Sequence, residues 1–280
     1  MQACEHTEKH TLFCGRVSVS LFGAGRDWKL SDRSTVATIS MAAHMSGVCQ
    51  VYSPNISQFN ARICKHDELT EDVTTGIVDA KVPIFRGAHA DGVIIGRRSA
   101  CFLATADCPT VIMWSHAKPN LVCLHAGLRS LVDFRRVEEG ASNRVHESVI
   151  DASLELFGRD NAHKVHVHAL CGIAADNYSF PEDHADWGGF NRKLLKALRE
   201  MSNGYADGAV NGNSISLPLL IRAQCMARGV RADRISWDTI DTYSDRDHIG
   251  GYRWNSHRRE RNGVSSVYGR NNGVLVSRLW

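Results

Sequence analysis

The chain lacks any apolar run near the ~18 residues that cross a bilayer, and it has no CxxC pair and no low-complexity tract. The first absence leaves no candidate helical membrane span, the second excludes a zinc ribbon, and the third argues against a disordered chain. Proline is scarce, six in 280 residues, and no linker rich in Pro, Gly or Ser divides the sequence. A single domain over 1–280 is therefore expected. No Walker loop occurs, and GAGRDW stops short of a full GxGxxG, so nucleotide cofactors find no glycine-loop support.

Charge of one sign is also lacking. The net charge of +3 is small for this length and gives no support to a nucleic-acid or membrane-surface role. The opening MQACEHTEKHTLFC carries charge and histidine where a signal peptide would be apolar, so a cytoplasmic location is expected. Nine cysteines, an odd count without regular spacing, then read as free thiols in a core, with room for one of special chemistry.

Ordinary globular patterning fills the rest, with 43% apolar and 22% charged residues. HTLFCGRVSVSLFG alternates as a strand would. DRSTVATISMAAHMSG reads as a helix capped at Ser31 or Asp32 and stopped by Gly47. VCQVYS, NARICKH, DGVIIG, ACFLATA, TVIMWS and NLVCLHA are strand-like, three of the last four as strands buried on both faces. LRSLVDFRRVEEGASNRVHESVIDASLELFG carries helical periodicity, KVHVHALCGI is a strand, and two amphipathic helices follow, the second closed by Gly229. RISWDTIDTYS and GVLVSRLW complete the strands. The alternation indicates an α/β protein with mixed β-sheets flanked by helices around one core.

The chemistry concentrates in TADCPTVIMWSHAKPNLVCLHAGLRS. Strands on either side of SHAKPN run out and back, so Cys108 and His125, 17 residues apart, fall at one edge of the sheet. Thiolate and imidazole suit zinc or copper, or a Cys–His nucleophilic pair. A third donor is needed for a metal site, and burial as ordinary core side chains is the competing reading.

TADCPTV followed by HAGLRS resembles the TADC-P…HAGWRG signature of the YfiH/laccase-domain family, once called multicopper polyphenol oxidases. HADGVIIG, ALCGIAADNYSF, ISLPLLIRAQCMARGV and WNSHRRERNGVSSVYGRN resemble further family elements in the family's order, best over 88–280 and more weakly over 1–87. The resemblance implies a YfiH-type α/β/β/α layered fold. It also implies one Zn2+ held by His, Cys and His, with copper the less favoured metal. Cys108 and His125 carry over directly. The first histidine belongs to a QVHG motif, which here reads Gln50-Val51-Tyr52-Ser53. His66 is the preferred substitute, with His89 a further candidate, and Tyr52 at the ligand position would mean a damaged site. Asp107 and Asp91 are the candidate carboxylates for orienting a histidine or moving protons, Asp107 also reading as a turn cap.

Arg129, Arg258, Arg259 and Arg270 lie in or near the motifs. Guanidinium groups bind phosphate bidentately, and the resemblance implies a phosphate and nucleoside pocket there, with Asp91 nearby. Without it, HRRERNG reads as a solvated basic turn. The family's Trp is Leu128 here, its Tyr is His257, its acidic residue stays as Glu260, and its late Cys-Thr becomes Asp241-Thr242. His166 and His168 share one strand face, more simply an exposed face than a metal site. His146, His163 and His184 read as surface residues.

The implied activity is zinc-dependent phosphorolysis of purine nucleosides (adenosine, inosine and methylthioadenosine), with adenosine deamination in some members. The partners are then a purine nucleoside and phosphate, with no nucleic acid and no membrane, and a homo-oligomer is left open. Alternatives are a hydrolase of peptidoglycan precursors with Cys108 as nucleophile, a copper oxidase of phenols, and a non-catalytic binding module. The oxidase would need many paired histidines, and HxH occurs once.

Overall fold

The computed structural model describes residues 6–57, 60–118, 120–263 and 269–279. The first part builds β1 (Thr7–Leu12), β2 (Val17–Phe22), helix α1 (Arg33–Met45), β3 (Gln50–Tyr52), β4 (Ile63–Lys65), β5 (Glu71–Asp72) and β6 (Ile84–Arg86). Next come β7 (Gly92–Ile95), β8 (Ser99–Thr105), β9 (Thr110–Ser115) and β10 (Leu121–His125). Helices α2 (Leu128–Leu131), α3 (Phe134–Glu139) and α4 (Val149–Phe157) precede β11 (Val165–Leu170) and α5 (Gly188–Glu200). The remainder is β12 (Val210–Asn211), β13 (Ser214–Ile215), α6 (Leu217–Ala227), β14 (Ile235–Trp237), α7 (His257–Arg261) and β15 (Asn272–Arg278).

Two mixed sheets stack face to face. One has the order β1-β2-β15-β8-β3-β6-β5, the other β14-β11-β9-β10-β7-β4. The period-two geometry of a strand sends successive side chains to opposite faces. In β8, Cys101 and Leu103 turn toward the second sheet, while Ala100 and Phe102 turn toward α1. In β9, Ile112 and Trp114 enter the layer between the sheets, and Val111 and Met113 meet α4, α5 and α6 through Ile150, Leu195 and Ile221. The expected single core is thus three apolar layers, which is what an α/β/β/α arrangement requires.

The helix over Arg33–Met45 starts where expected, its Asp32 side chain accepting the Thr35 N–H, and ends at Gly47 with φ +74°. Two readings change. The N-terminal alternating stretch is a hairpin, because Phe13, Cys14 and Gly15 take positive φ and reverse the chain between β1 and β2. The long helical stretch after His125 is three short helices. Asp133 caps α3, Gly140 ends it in the left-handed region, and Ser148 caps α4.

What positions the site is the path of β8. β7, β9 and β10 are neighbours in one sheet, whereas β8 belongs to the other. The chain therefore crosses between sheets over Ala106–Pro109, and this crossing carries Asp107 and Cys108. β9 and β10 form the expected hairpin, with His125 opposite Thr110.

Gly92 is required by close approach of β7 and β10: a Cβ there would lie 2.5 Å from Leu124 Cδ2 and 2.7 Å from the Cys123 carbonyl oxygen. Gly92→Ala should cost roughly 1–3 kcal/mol by overpacking, read as a lower thermal midpoint. An unchanged midpoint would show that β7 can shift without penalty.

Candidate active site

The DCP and HAG loops are stitched together by the Ala126 N–H, which donates to the Pro109 carbonyl at 2.8 Å. The Thr105 hydroxyl donates to the Cys108 carbonyl at 2.5 Å and folds the crossing back on itself. Gly127 then reveals how close the two reactive side chains come. A Cβ built on it would lie 2.8 Å from Cys108 Sγ, 2.8 Å from His125 Cε1 and 3.4 Å from His125 Nε2. Thiol and imidazole face one small space, and the glycine of HAG is there because any side chain would fill it.

Burial sets their protonation. Desolvation pushes the Cys108 thiol up to about 12, helped by the charges of Asp107 and Asp91. Desolvation alone pushes His125 down to about 4. Both are neutral near pH 7, and the thiol would give up its proton only to a cation such as a metal. His125 Nδ1 is buried without a hydrogen-bond partner. The thiol and the Cε1–Nε2 edge of the imidazole, which face one space, are the donor types of a zinc site, and the orphaned Nδ1 belongs to the same ring.

No third donor joins them among the described residues. Among the described residues, no group of three His, Cys, Asp or Glu side chains is arranged to hold a metal. The preferred third ligand, His66, is exposed and follows β4 at its far end. Ile63 of β4 lies opposite Gly92, and the backbone N–H of His125 bonds the carbonyl of Asp91, so the near end of β4 belongs to the site. His66, beyond Lys65 and Ile94, lies about four residues or ~13 Å along the strands from His125. Its ring instead sits 5.5 Å from that of Tyr52, which stacks on Phe85. His89 is exposed and forms a bridge with Asn55.

The carboxylates are positioning groups. Asp107, expected among the catalytic residues, has both oxygens occupied: Oδ1 accepts the Thr242 hydroxyl at 2.8 Å and Oδ2 the Arg258 N–H at 2.7 Å. Asp91, expected near substrate, is fully buried, and its Oδ2 accepts the Ala61 N–H at 3.0 Å.

The arginines separate in the same way. Arg259 is buried and donates to the carbonyls of Thr242, Tyr243 and Trp254, so it braces the loop rather than a phosphate. Arg258 is the one that faces the site. Its guanidinium lies 5.1 Å from the Tyr178 ring centroid and 5.4 Å from that of Phe180, and it donates to the Ser179 carbonyl. Arg129 is exposed, over the Phe134 ring at 4.8 Å, and Arg270 pairs with His257 at 2.6 Å. Two neighbours were not legible in the sequence. Burial, with the nearby Cys108, raises the Tyr178 phenol well above its ordinary range. The Arg144 side chain is 4% exposed, 3.9 Å from Asp133 and within electrostatic reach of Asp91. Asp241 accepts from the Ala174 N–H and the Asn177 amide.

Residues 31–278 match the family model described as multi-copper polyphenol oxidoreductase laccase. The chain belongs to that family. Three solved structures share the fold. A hypothetical protein YfiH of Bacillus licheniformis is 14% identical, TM-score 0.64, over 94% of this chain and 93% of its own. YlmD from Geobacillus stearothermophilus is 17% identical, TM-score 0.62, over 100% and 98%. Protein NMB0706 of Neisseria meningitidis is 14% identical, TM-score 0.62, over 98% and 100%. No curated protein matches. No helix among the described residues is long and apolar enough to cross a membrane.

His125 also makes stability depend on pH. Its folded pKa near 4 lies below the unfolded 6.5, so its contribution is fully present above pH 6.5 and is lost as pH falls through 4. Chelator-treated protein should lose about 3 kcal/mol from this group between pH 7.5 and 4, and His125→Gln should lose correspondingly less. Equal losses in denaturant titrations would show that His125 is not the depressed group.

Proposed function

We propose that the cleft at Cys108, His125, Tyr178 and Arg258 is the active site of an enzyme that cleaves purine nucleosides with phosphate. The observation that carries this reading is the thiol and imidazole facing one space beside Gly127, with the Arg258 guanidinium close by on the Tyr178 and Phe180 rings. Adenosine, inosine and methylthioadenosine are the substrates the family resemblance suggests, with adenosine deamination as a second outcome at the same place.

Phosphorolysis asks three things of the chain. A phosphate oxygen attacks C1′ of the ribose, the bond from C1′ to the purine nitrogen breaks, and the purine leaves with that electron pair. Arg258 holds the incoming phosphate, with Arg129 a second cation at the rim; fixed guanidinium donors orient an anion without being deprotonated. Tyr178 stays protonated and is an O–H donor beside the thiol for charge developing on the departing base. Asp107 fixes Arg258 through its backbone and thereby sets where the phosphate sits.

Cys108 and His125 would hold zinc, which when bound supplies Lewis acidity and an activated water for deamination. With two protein donors, the metal should bind weakly and be removed readily by chelator, and copper should compete for the same pair. A thiol hydrolase is disfavoured, because its nucleophile needs a low thiol pKa beside a protonated imidazole. Burial drives this pair the opposite way.

The test supplies zinc-loaded protein with adenosine or inosine, with and without phosphate. Free base should appear in the phosphate arm, Cys108→Ala should abolish it, and Arg258→Ala should raise the KM for phosphate at least tenfold. No purine turnover by zinc-loaded wild type would sink the reading.

A further inference from the structure

A cavity of about 290 Å³ opens where the parallel strands β11 and β14 end. The topology gathers its walls. The chain passes down α6 and back up β14, so the start of the helix and the end of the strand meet at one mouth. Leu170, Ile173, Pro218, Leu219, Trp237 and Ile240 make that mouth apolar. Pro109, next to Cys108 in the chain, lines one side, and a Cβ on Gly172 would lie 2.9 Å from its Cγ. Among the described residues that line the space, none is Cys108, His125, Tyr178 or Arg258.

One charge enters this apolar enclosure. Asp238 follows β14, and its N–H donates to the Ala169 carbonyl at 3.1 Å, which fixes the backbone there. Its carboxylate accepts the Cys171 N–H at 3.2 Å and the Ile240 N–H at 3.2 Å. Both donors are neutral. Burial outweighs them and raises the carboxyl to about 6, with His10 and Asp245 the charged groups acting on it. At neutral pH Asp238 is ionised, and a cation entering the cavity would stabilise that form. Among the described residues, no Lys, Arg or His lines the space.

An anion is the competing occupant, because a helix N-terminus forms part of the wall. α6 has little to offer one. Ser216 caps the helix by accepting the Leu219 N–H, and Pro218 has no N–H to give. The Asp238 carboxylate would repel it as well. Trp237 is 39% exposed, which leaves an indole face open to a cation or a ring. The volume lies at the lower edge of the about 300–1,000 Å³ of small-molecule pockets, which suits one ring with a short arm and not a nucleotide.

We propose that this cavity binds a compact amine with an apolar body, its ammonium group at the Asp238 carboxylate and its body against Trp237, Leu219 and Ile173. The site is separate from the Cys108 cleft and rests on none of the chemistry assigned there.

Equilibrium binding to the full chain near neutral pH and at low ionic strength tests it, with phenethylamine and tryptamine as probes. Phenethyl alcohol, of the same shape without the charge, and phenylacetate, of opposite charge, are the controls. At least one amine should bind at least tenfold more tightly than either control. Asp238→Asn keeps an acceptor for the two backbone N–H groups and should erase that preference. Trp237→Leu should weaken amine binding at least fivefold with an unchanged melting curve. Cys108→Ala and Arg258→Ala should bind the amine as wild type does. The proposal is overturned if neither amine binds, if phenethyl alcohol binds as tightly, or if Asp238→Asn keeps the preference. Should Asp238→Asn fail to fold, Trp237→Leu decides, and wild-type amine binding there overturns the assignment. Displacement of the amine by adenine, or its loss in Cys108→Ala, would make the cavity part of the nucleoside site and overturn it too.

Discussion

The carboxylate of Asp107 is the constraint on which the site's architecture depends. One oxygen takes the Thr242 hydroxyl and the other the Arg258 N–H, so the crossing between sheets is tied to two segments more than 130 residues later in the chain. Its backbone carbonyl also accepts the Ile173 N–H, which docks the end of β11. A buried carboxylate left without these donors would cost several kcal/mol, so the crossing, the 241–243 turn and α7 have to fold together. Cys108 follows immediately and inherits its position from that tie. The same tie explains the division of labour in the Arg258-Arg259 pair. Successive helix residues point about 100° apart. Once the Arg258 N–H is pinned to Asp107, Arg259 is turned inward onto three carbonyls and Arg258 outward onto the aromatic rings.

Legibility in the sequence followed the range of the interaction. β9, β10 and their pairing could be read directly, because each is a short apolar run and the connection between them is local. The HAG motif was legible too, but the reason for its glycine, the lack of room between Sγ and the imidazole, is visible only in three dimensions. The N-terminal hairpin was missed because its turn uses Phe13 and Cys14 at positive φ, where non-glycine residues are uncommon. The breaks between α2, α3 and α4 were available in Asp133, Gly140 and Ser148, but a continuous apolar period masked them. His66 failed for a different reason. Whether a residue after a strand lies near or far from a site depends on the direction of that strand, and the parallel pairing of β4 with β7 sends it away. Arg259 looked like an anion ligand because sequence reports charge and not burial.

Tyr52 and the lack, among the described residues, of a third donor beside Cys108 and His125 bear on each other. Tyr52 is 5% exposed and packs in the layer between sheets with Cys64, Leu69, Ala90 and Cys101. Burial, with Asp67 nearby, raises its phenol, so it stays protonated. A neutral phenol is a poor zinc ligand beside a thiolate and an imidazole. What the described residues place beside Gly127 is a thiol and an imidazole, both neutral, with the Arg258 guanidinium near the Tyr178 and Phe180 rings.

The two ends of the sandwich are consequently unlike in charge. At one end, burial keeps the thiol protonated, with the charges of Asp107 and Asp91 adding to it, and Arg258 is turned toward the rings. At the other, arginines from three separate strand ends gather around Trp114 and His116. The apolar layer between the sheets, from Val19 and Leu103 to Ile112 and Cys123, separates them. Strand ends are where a packed sandwich can afford polar chemistry, since its middle must be dry. Crossing from β8 to β9 built one such end, and the closing of β15 onto β2 built the other, so both follow from the order in which the strands were laid into the sheets.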